Sequence, residues 1–228
     1  MYFSIEQSLA EAGLSHALLL VVNGIIVSPS KEEFKNRCAN TVTGNLPSDN
    51  DKFNRGMRQL ITKTTGKNTF LTAGEKLRDN FISRGFRSIN NVVDAYNEAA
   101  FYYGIGIGGH DITSLNENSH IEIRLSEENE KITPLFKTQS KNIKPNEVVY
   151  GEGRNIMAWI GTKDMDSEDF RITEKSRKCA FIIMGGPEVA PTELYAVSNR
   201  IRRNLIDASY EFDSKTYDSQ ELYFKTRS

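Results

Sequence analysis

The chain has 228 residues, with 29 Lys and Arg against 30 Asp and Glu and a net charge of −1. Charged residues at 26% and hydrophobic residues at 38% exclude a disordered, fibrous or bilayer-spanning chain and fit an ordinary soluble globular protein. The near-zero total charge says nothing about partners, so any charge-driven partner must be met by a local patch.

In chain order, residues 2–5 and 17–22 read as strands, the second a continuous apolar run of the kind covered on both faces. Ser30-Lys-Glu-Glu33 is a capping-box pattern that opens a helix with Phe34, Cys38 and Val42 on one face. Residues 45–50, which hold Pro47, read as a loop. Phe53, Met57, Leu60 and Ile61 predict a second helix that fades at Thr64-Thr-Gly66. Thr72-Ala-Gly-Glu75 is another capping box, followed by inward-facing Leu77, Phe81 and Ile82 and a stop at Gly85. The next helix carries Ile89, Val92, Val93, Tyr96, Ala100 and Tyr103 on one side, until the glycines at 104, 106, 108 and 109 break it.

Beyond Ile112 the pattern turns to short β-type runs at 120–125, 148–150, 155–160, 170–172 and 179–184. Pro191 opens a last helix with Leu194, Val197, Ile201, Leu205 and Ala208 as its buried stripe. The polar stretch after Glu211 reads as a fraying tail. The expected fold is α+β, with helices mainly in the first half packed on a mixed or antiparallel β-rich second half. Its expected extent is a single domain over 1–211 with a C-terminal tail over 212–228.

Cys38 and Cys179 sit in apolar stretches without His or Cys at metal-ligand spacing. They read as buried reduced thiols, and a cytoplasmic chain with no metal and no cofactor is expected. The run at 17–22 is far too short to span a bilayer, so no membrane partner is expected.

Three features could carry chemistry. Between Lys52 and Ser88 stand nine basic residues against two acidic ones, a local charge of +7. Such a stretch can form a phosphate-attracting face, although surface helices also carry Lys and Arg for solubility alone. In the helix that follows, Asn90, Asp94 and Asn97 form a row of short polar side chains where Lys, Glu or Gln would be the ordinary choice. Capping explains one of them. Finally, Gly104, Gly106, Gly108 and Gly109 lead into His110-Asp111. Glycine permits close backbone approach to a ligand, and His110 beside Asp111 has the makings of a general base. A dinucleotide fingerprint is excluded because the glycines follow a helix and lead into β structure. A plain glycine turn is the alternative. Trp159, the only tryptophan, reads by default as core.

Ile89-Asn-Asn-Val-Val-Asp-Ala-Tyr-Asn97, then Gly104 and Gly-Gly-His-Asp111, resembles the aminoacyl-tRNA editing domain of the phenylalanyl-tRNA synthetase beta subunit. It is more closely similar to freestanding bacterial proteins built on that domain. Residues 148–150, the Trp159 strand and Thr173-Glu-Lys-Ser-Arg177 follow in the family's order. The resemblance implies hydrolysis of the ester of a wrong amino acid on tRNA; in the synthetase that amino acid is tyrosine. Carried over, Asn90, Asn91, Asp94, Asn97, Gly106, Gly108, Gly109 and Trp159 line or brace a substrate pocket, and His110 and Asp111 are the catalytic candidates. Lys63, Lys67, Arg78, Arg84, Arg87 and Arg177 receive the tRNA, whose aminoacylated 3′ end is the implied partner; a homo-oligomer is compatible with this. Two departures stand out. Gly108 occupies the position of the synthetase's histidine, as in the freestanding relatives, and His110 lies two residues later. A non-catalytic RNA- or small-ligand-binding module of the same fold is the alternative.

Overall fold

The computed structural model describes residues 1–44, 46–47, 51–161 and 163–226. The loop expected over 45–50 falls mostly outside them. The first half contains β1 (Tyr2–Ile5), α1 (Ser8–Ala12), β2 (His16–Asn23), α2 (Glu32–Thr43), α3 (Lys52–Thr65), α4 (Ala73–Arg84), α5 (Asn91–Tyr103) and β3 (Gly108–Asp111). The second contains β4 (His120–Leu125), β5 (Lys131–Ile132), β6 (Lys141–Asn142), β7 (Val148–Glu152), β8 (Asn155–Ile160), β9 (Asp164–Asp166), β10 (Lys178–Gly185), α6 (Pro191–Ala208) and β11 (Asp218–Lys225). The class is α+β, as the sequence predicts.

Two sheets organise the core. One is antiparallel and ordered β11-β2-β10-β3; the other is ordered β1-β4-β7-β8-β9, parallel only at β1–β4. Successive strand residues point to opposite faces. Leu18, Leu20 and Val22 of β2, with Phe181 and Ile183 of β10, pack on Val92, Ala95 and Ala99 of α5 and on Leu194, Val197 and Ile201 of α6. The alternate residues Leu19, Val21, Ala180 and Ile182 pack on Ile121, Ile123, Val148 and Met157 of the second sheet. The result is three layers, with helices on one side of β2 and β10 and a sheet on the other. That double cover is why 17–22 has no polar residue. Each buried Leu or Ile contributes about 1.5–3 kcal/mol.

α5 and α6 are also locked by a buried carboxylate. Glu98 accepts two N–H bonds from the Arg200 guanidinium (2.8 and 2.6 Å), one from Asn204 Nδ2 (2.6 Å) and one from the Thr41 hydroxyl (2.9 Å). Burial by itself raises the Glu98 carboxyl, but the Arg200 fork, Asn204 and Thr41 outweigh it and hold it below the usual carboxylate range.

The structure corrects several expectations. The Ser30 capping box does not form: α2 starts after Lys31 without a side-chain cap, and the Ser30 hydroxyl donates to Asp94 instead. The Thr72–Glu75 box does form. Ile82 points outward at 68% exposure, because α4 buries little beyond its first turn. Ile89 precedes α5 and is also exposed. Residues 168–170 make a 3-10 turn rather than a strand at 170–172. The end of the glycine run is strand β3, not loop. The expected fraying after Glu211 is overturned by β11, which pairs with β2 along its whole length. Its polar side chains suit an edge strand with one wet face.

Candidate functional site

The start of α5 is pinned by its own polar side chains. The Asn90 side-chain oxygen caps the helix, accepting from the N–H groups of Val92 (3.1 Å) and Val93 (2.9 Å). Asn91 is buried; it accepts from Ser28 N–H (3.0 Å) and donates to the Ile26 carbonyl (2.9 Å) and the Ser209 hydroxyl (2.7 Å). Asp94 is buried too, and accepts from the hydroxyls of Ser30 (2.6 Å) and Ser88 (2.5 Å) and from Ile89 N–H (2.8 Å). Asn91 and Asp94 therefore tie the helix to residues 26–30 and 88–89, and neither lines the cavities described below. Asn97 has no side-chain hydrogen-bond partner among the described residues and faces a cleft.

That cleft, about 760 Å³, opens between the start of α5, β3, a turn at 134–136 and the segment 166–175. Of the residues expected in a pocket, Asn90, Asn97, Gly109 and His110 line it. Gly106, Gly108 and Trp159 line a second, smaller chamber of about 120 Å³, walled mainly by apolar side chains such as Phe53, Met57 and Met165. Asp166, at the end of β9, stands on the wall of both.

β3 divides the two spaces, and its glycines are required there by contact. A Cβ on Gly109 would lie 2.5 Å from Cε1 of Tyr96. A Cβ on Gly108 would collide with the Tyr150 hydroxyl and lie 2.8 Å from His110 Nε2. Gly108→Ala is therefore expected to cost about 1–3 kcal/mol through overpacking and loss of the His110–Tyr150 hydrogen bond. Denaturant melting checks this; an unchanged midpoint would show that the Tyr150 ring moves aside freely.

His110 is buried, and its Nε2 lies 2.8 Å from the Tyr150 hydroxyl, while Nδ1 has no partner among the described residues. Burial pushes its pKa down to about 3, so the ring is neutral at pH 7 and a poor proton acceptor. Asp111 is committed elsewhere. One oxygen accepts from the N–H and hydroxyl of Thr113 (2.8 and 2.5 Å), the other from the Ser176 hydroxyl (2.6 Å). Trp159 donates to Glu147 Oε2 (2.5 Å) and is buried.

Asp166 differs from all of these. Its carboxyl has no hydrogen bond or ion pair with any described residue. Burial first, and the neighbouring charge of Asp164 second, raise its pKa to about 7. Asp164 itself pairs with Lys76. A carboxyl balanced between acid and base at neutral pH, at the junction of two cavities, is a functional-site signature. Sequence reasoning missed it, because an acid in a short polar segment has no pattern to mark it.

The basic stretch is far less free than its charge suggests. Lys52 pairs with Glu193, Arg55 with Glu188, Arg58 with Glu75 and Lys76 with Asp164. Lys63 donates to the Glu11 carbonyl (2.8 Å), and Arg78 to the Phe101 carbonyl (3.1 Å) at the end of α5. Arg177 donates to the carbonyls of Glu174 and Ser176 (both 2.8 Å). Lys67 lies over the Phe70 ring. Among the described residues, Lys67, Arg84 and Arg87 have no acidic partner. Arg171 and Lys175, not expected at the site, line the cleft. No cluster of three or more His, Cys, Asp or Glu suited to a metal occurs among the described residues, and none of their helices is long and apolar enough to cross a membrane.

A helix-backed antiparallel sheet with a cleft against its edge strand defines the class as an α+β domain. Residues 57–203 match the B3/4 domain, and the chain belongs to that family. It is similar to the phenylalanine–tRNA ligase beta subunit of Staphylococcus saprophyticus, at 27% identity over 145 residues, which is 64% of this chain and 17% of that one. The corresponding subunit of Dehalococcoides mccartyi is 32% identical over 100 residues, 44% of this chain and 12% of that one. The chain thus spans less than a fifth of the length of these relatives. An N-terminal fragment of the phenylalanyl-tRNA synthetase beta subunit from Pyrococcus horikoshii aligns with 99% of this chain and 51% of its own, at 12% identity and a TM-score of 0.47.

Proposed function

We propose that this chain binds the acylated 3′ end of a transfer RNA and hydrolyses its aminoacyl ester, acting on a tRNA charged elsewhere. The observation that carries the reading is Asp166, an unpartnered carboxyl with a pKa near 7 on the wall shared by the 760 Å³ cleft and the 120 Å³ apolar chamber. The likeness to phenylalanine–tRNA ligase beta subunits supports the choice of substrate.

The larger cleft takes the terminal nucleoside, and the smaller chamber the amino-acid side chain. Ionised Asp166 accepts a proton from a water molecule as the water oxygen adds to the ester carbonyl carbon. The carbonyl oxygen becomes an oxyanion. β3 is an edge strand, and antiparallel alternation from the Ile112 N–H bond to Lys178 turns the Gly109 N–H toward the open edge, where it can donate to that oxyanion. The bond from carbon to ribose oxygen then breaks, and the proton passes from Asp166 to that oxygen. The products are a free amino acid and a deacylated tRNA. His110, locked to Tyr150, positions β3 rather than moving protons. Lys67, Arg84 and Arg87 offer charge to the RNA backbone, at a salt-dependent affinity.

The experiment is incubation with a panel of mischarged tRNAs at high protein concentration. Deacylation of at least one is expected; no turnover on any of them removes the hydrolytic reading. The alternative, a binding module without catalysis, is favoured by the full commitment of His110 and Asp111 to structural bonds. It predicts salt-sensitive tRNA binding with the ester left intact.

A further inference from the structure

Phe136 is a large apolar side chain that the fold holds in water. It is 76% exposed and lines the cleft together with the exposed Ile89. Its backbone lies at φ +61°, a left-handed conformation that a bulky residue rarely adopts and that costs about 1–3 kcal/mol. The turn is nonetheless rigidly tied. Phe136 N–H donates to Glu168 Oε2 (2.8 Å), Leu135 N–H to the Asp166 carbonyl (3.0 Å), and Lys137 N–H to the Pro134 carbonyl (3.0 Å). Glu168 also pairs with Arg171 Nε (2.9 Å), and the Arg171 guanidinium sits over the Phe136 ring at 5.2 Å. A strained, pinned and solvated aromatic ring has no structural use for its exposed face. Its anchors belong to the same segment as Asp166.

We propose that Phe136, with Arg171 beside it, is the stacking platform for a nucleobase entering the cleft. This rests on the reading above and deepens it: the ring holds the terminal base and thereby sets how far the acyl group reaches toward Asp166. A ring face suits any base and an arginine plane adds to the stack, so the platform fixes position without reading sequence. The base could be presented by the 3′ end of an RNA or by a free nucleotide.

The test uses the full chain and two probes: a short RNA hairpin ending in 3′ 2-aminopurine, and adenosine monophosphate. With the wild type, stacking quenches the 2-aminopurine fluorescence on binding. Phe136→Ala is expected to abolish the quenching and weaken binding about tenfold or more, whereas Phe136→Trp retains both. Phe136 is exposed, so both variants should keep the wild-type circular dichroism spectrum. Equal affinity and quenching in wild type and Phe136→Ala would overturn the platform while leaving the tRNA reading standing. Phe136-dependent binding of the nucleotide without binding of the RNA keeps the platform and removes the tRNA reading. Binding of neither probe removes both.

Discussion

Asp166→Asn is expected to slow the proposed ester hydrolysis by about 10²–10⁴-fold and at the same time to make the folded chain more stable above pH 7. The first effect follows from removing the group proposed to take the water proton. The wild-type rate should climb with pH to a plateau just above 7, the pKa of the folded carboxyl, and the residual rate of the variant should lack that limb. The second effect follows from linkage. An unfolded Asp ionises near 3.8, whereas in the fold the proton is held to about 7. Between those values the folded chain binds a proton that the unfolded chain has lost, so stability falls as pH rises through the window. Asn has no such titration. The two proteins should therefore melt alike near pH 4, and the variant should be more stable at pH 8 by about 1–2 kcal/mol. The full shift is discounted because the residue keeps contact with the water of the cleft. His110 works in the opposite sense, losing stability as pH falls from 6.5 toward 3, but it is common to both proteins and cancels in the difference. Urea melts at pH 4 and 8 measure the gap. A variant that is less stable than wild type at pH 8 would mean that Asp166 has a structural partner and is not held free for chemistry.

The largest stability loss is expected at Asp94. Asp94→Ala leaves the buried Ser30 hydroxyl without its acceptor and also removes the bonds from the Ser88 hydroxyl and the Ile89 N–H, which belong to exposed residues. An orphaned buried donor costs about 1–3 kcal/mol, and the two outer donors can turn to water, so a loss of about 2–3 kcal/mol is expected. Asp94→Asn keeps the shape and one acceptor, and should lose about half as much. The consequence for the site is indirect. Asn90, the cap of α5, and Asn97, in its second turn, line the cleft, and loosening the start of the helix should weaken ligand binding in the Asn variant. Chemical denaturation and a binding isotherm check the two halves. A denaturation midpoint unchanged by Asp94→Ala would remove the bracing role given to this carboxylate.

These two residues also show how far local pattern reaches. Asp94 was visible in the sequence as an acid in a helix that should prefer longer polar side chains, and the oddity was real. Its cause lay elsewhere: the row Asn90, Asp94, Asn97 reads equally well as ligand-binding or as bracing until the partners Ser30 and Ser88 are in place. Asp166 had no visible signal, since its pKa comes from chain segments distant in sequence that shut out water. The basic stretch from Lys52 to Arg87 illustrates the reverse error. Its local charge is +7, but Glu188 and Glu193, more than a hundred residues away, neutralise Arg55 and Lys52.

The segment from Ile89 to Ile112 puts Asn90, Asn97, Gly109 and His110 on the cleft wall and commits Asn91, Asp94 and Asp111 to bracing bonds. What the sequence by itself determined is whatever depends on neighbours along the chain. The α3, α4, α5 and α6 stripes are periodic, the Thr72 box and the Asn90 cap need only three or four residues, and the apolar run at 17–22 demands cover on both faces. The tertiary structure alone decided the rest. The glycines of β3 face Tyr96 and Tyr150, His110 is sealed against Tyr150, the polar end of the chain is held as an edge strand by β2, and Phe136 is held out over the cleft. Each of these depends on a contact across the fold or on the exclusion of water, and neither is written in local spacing.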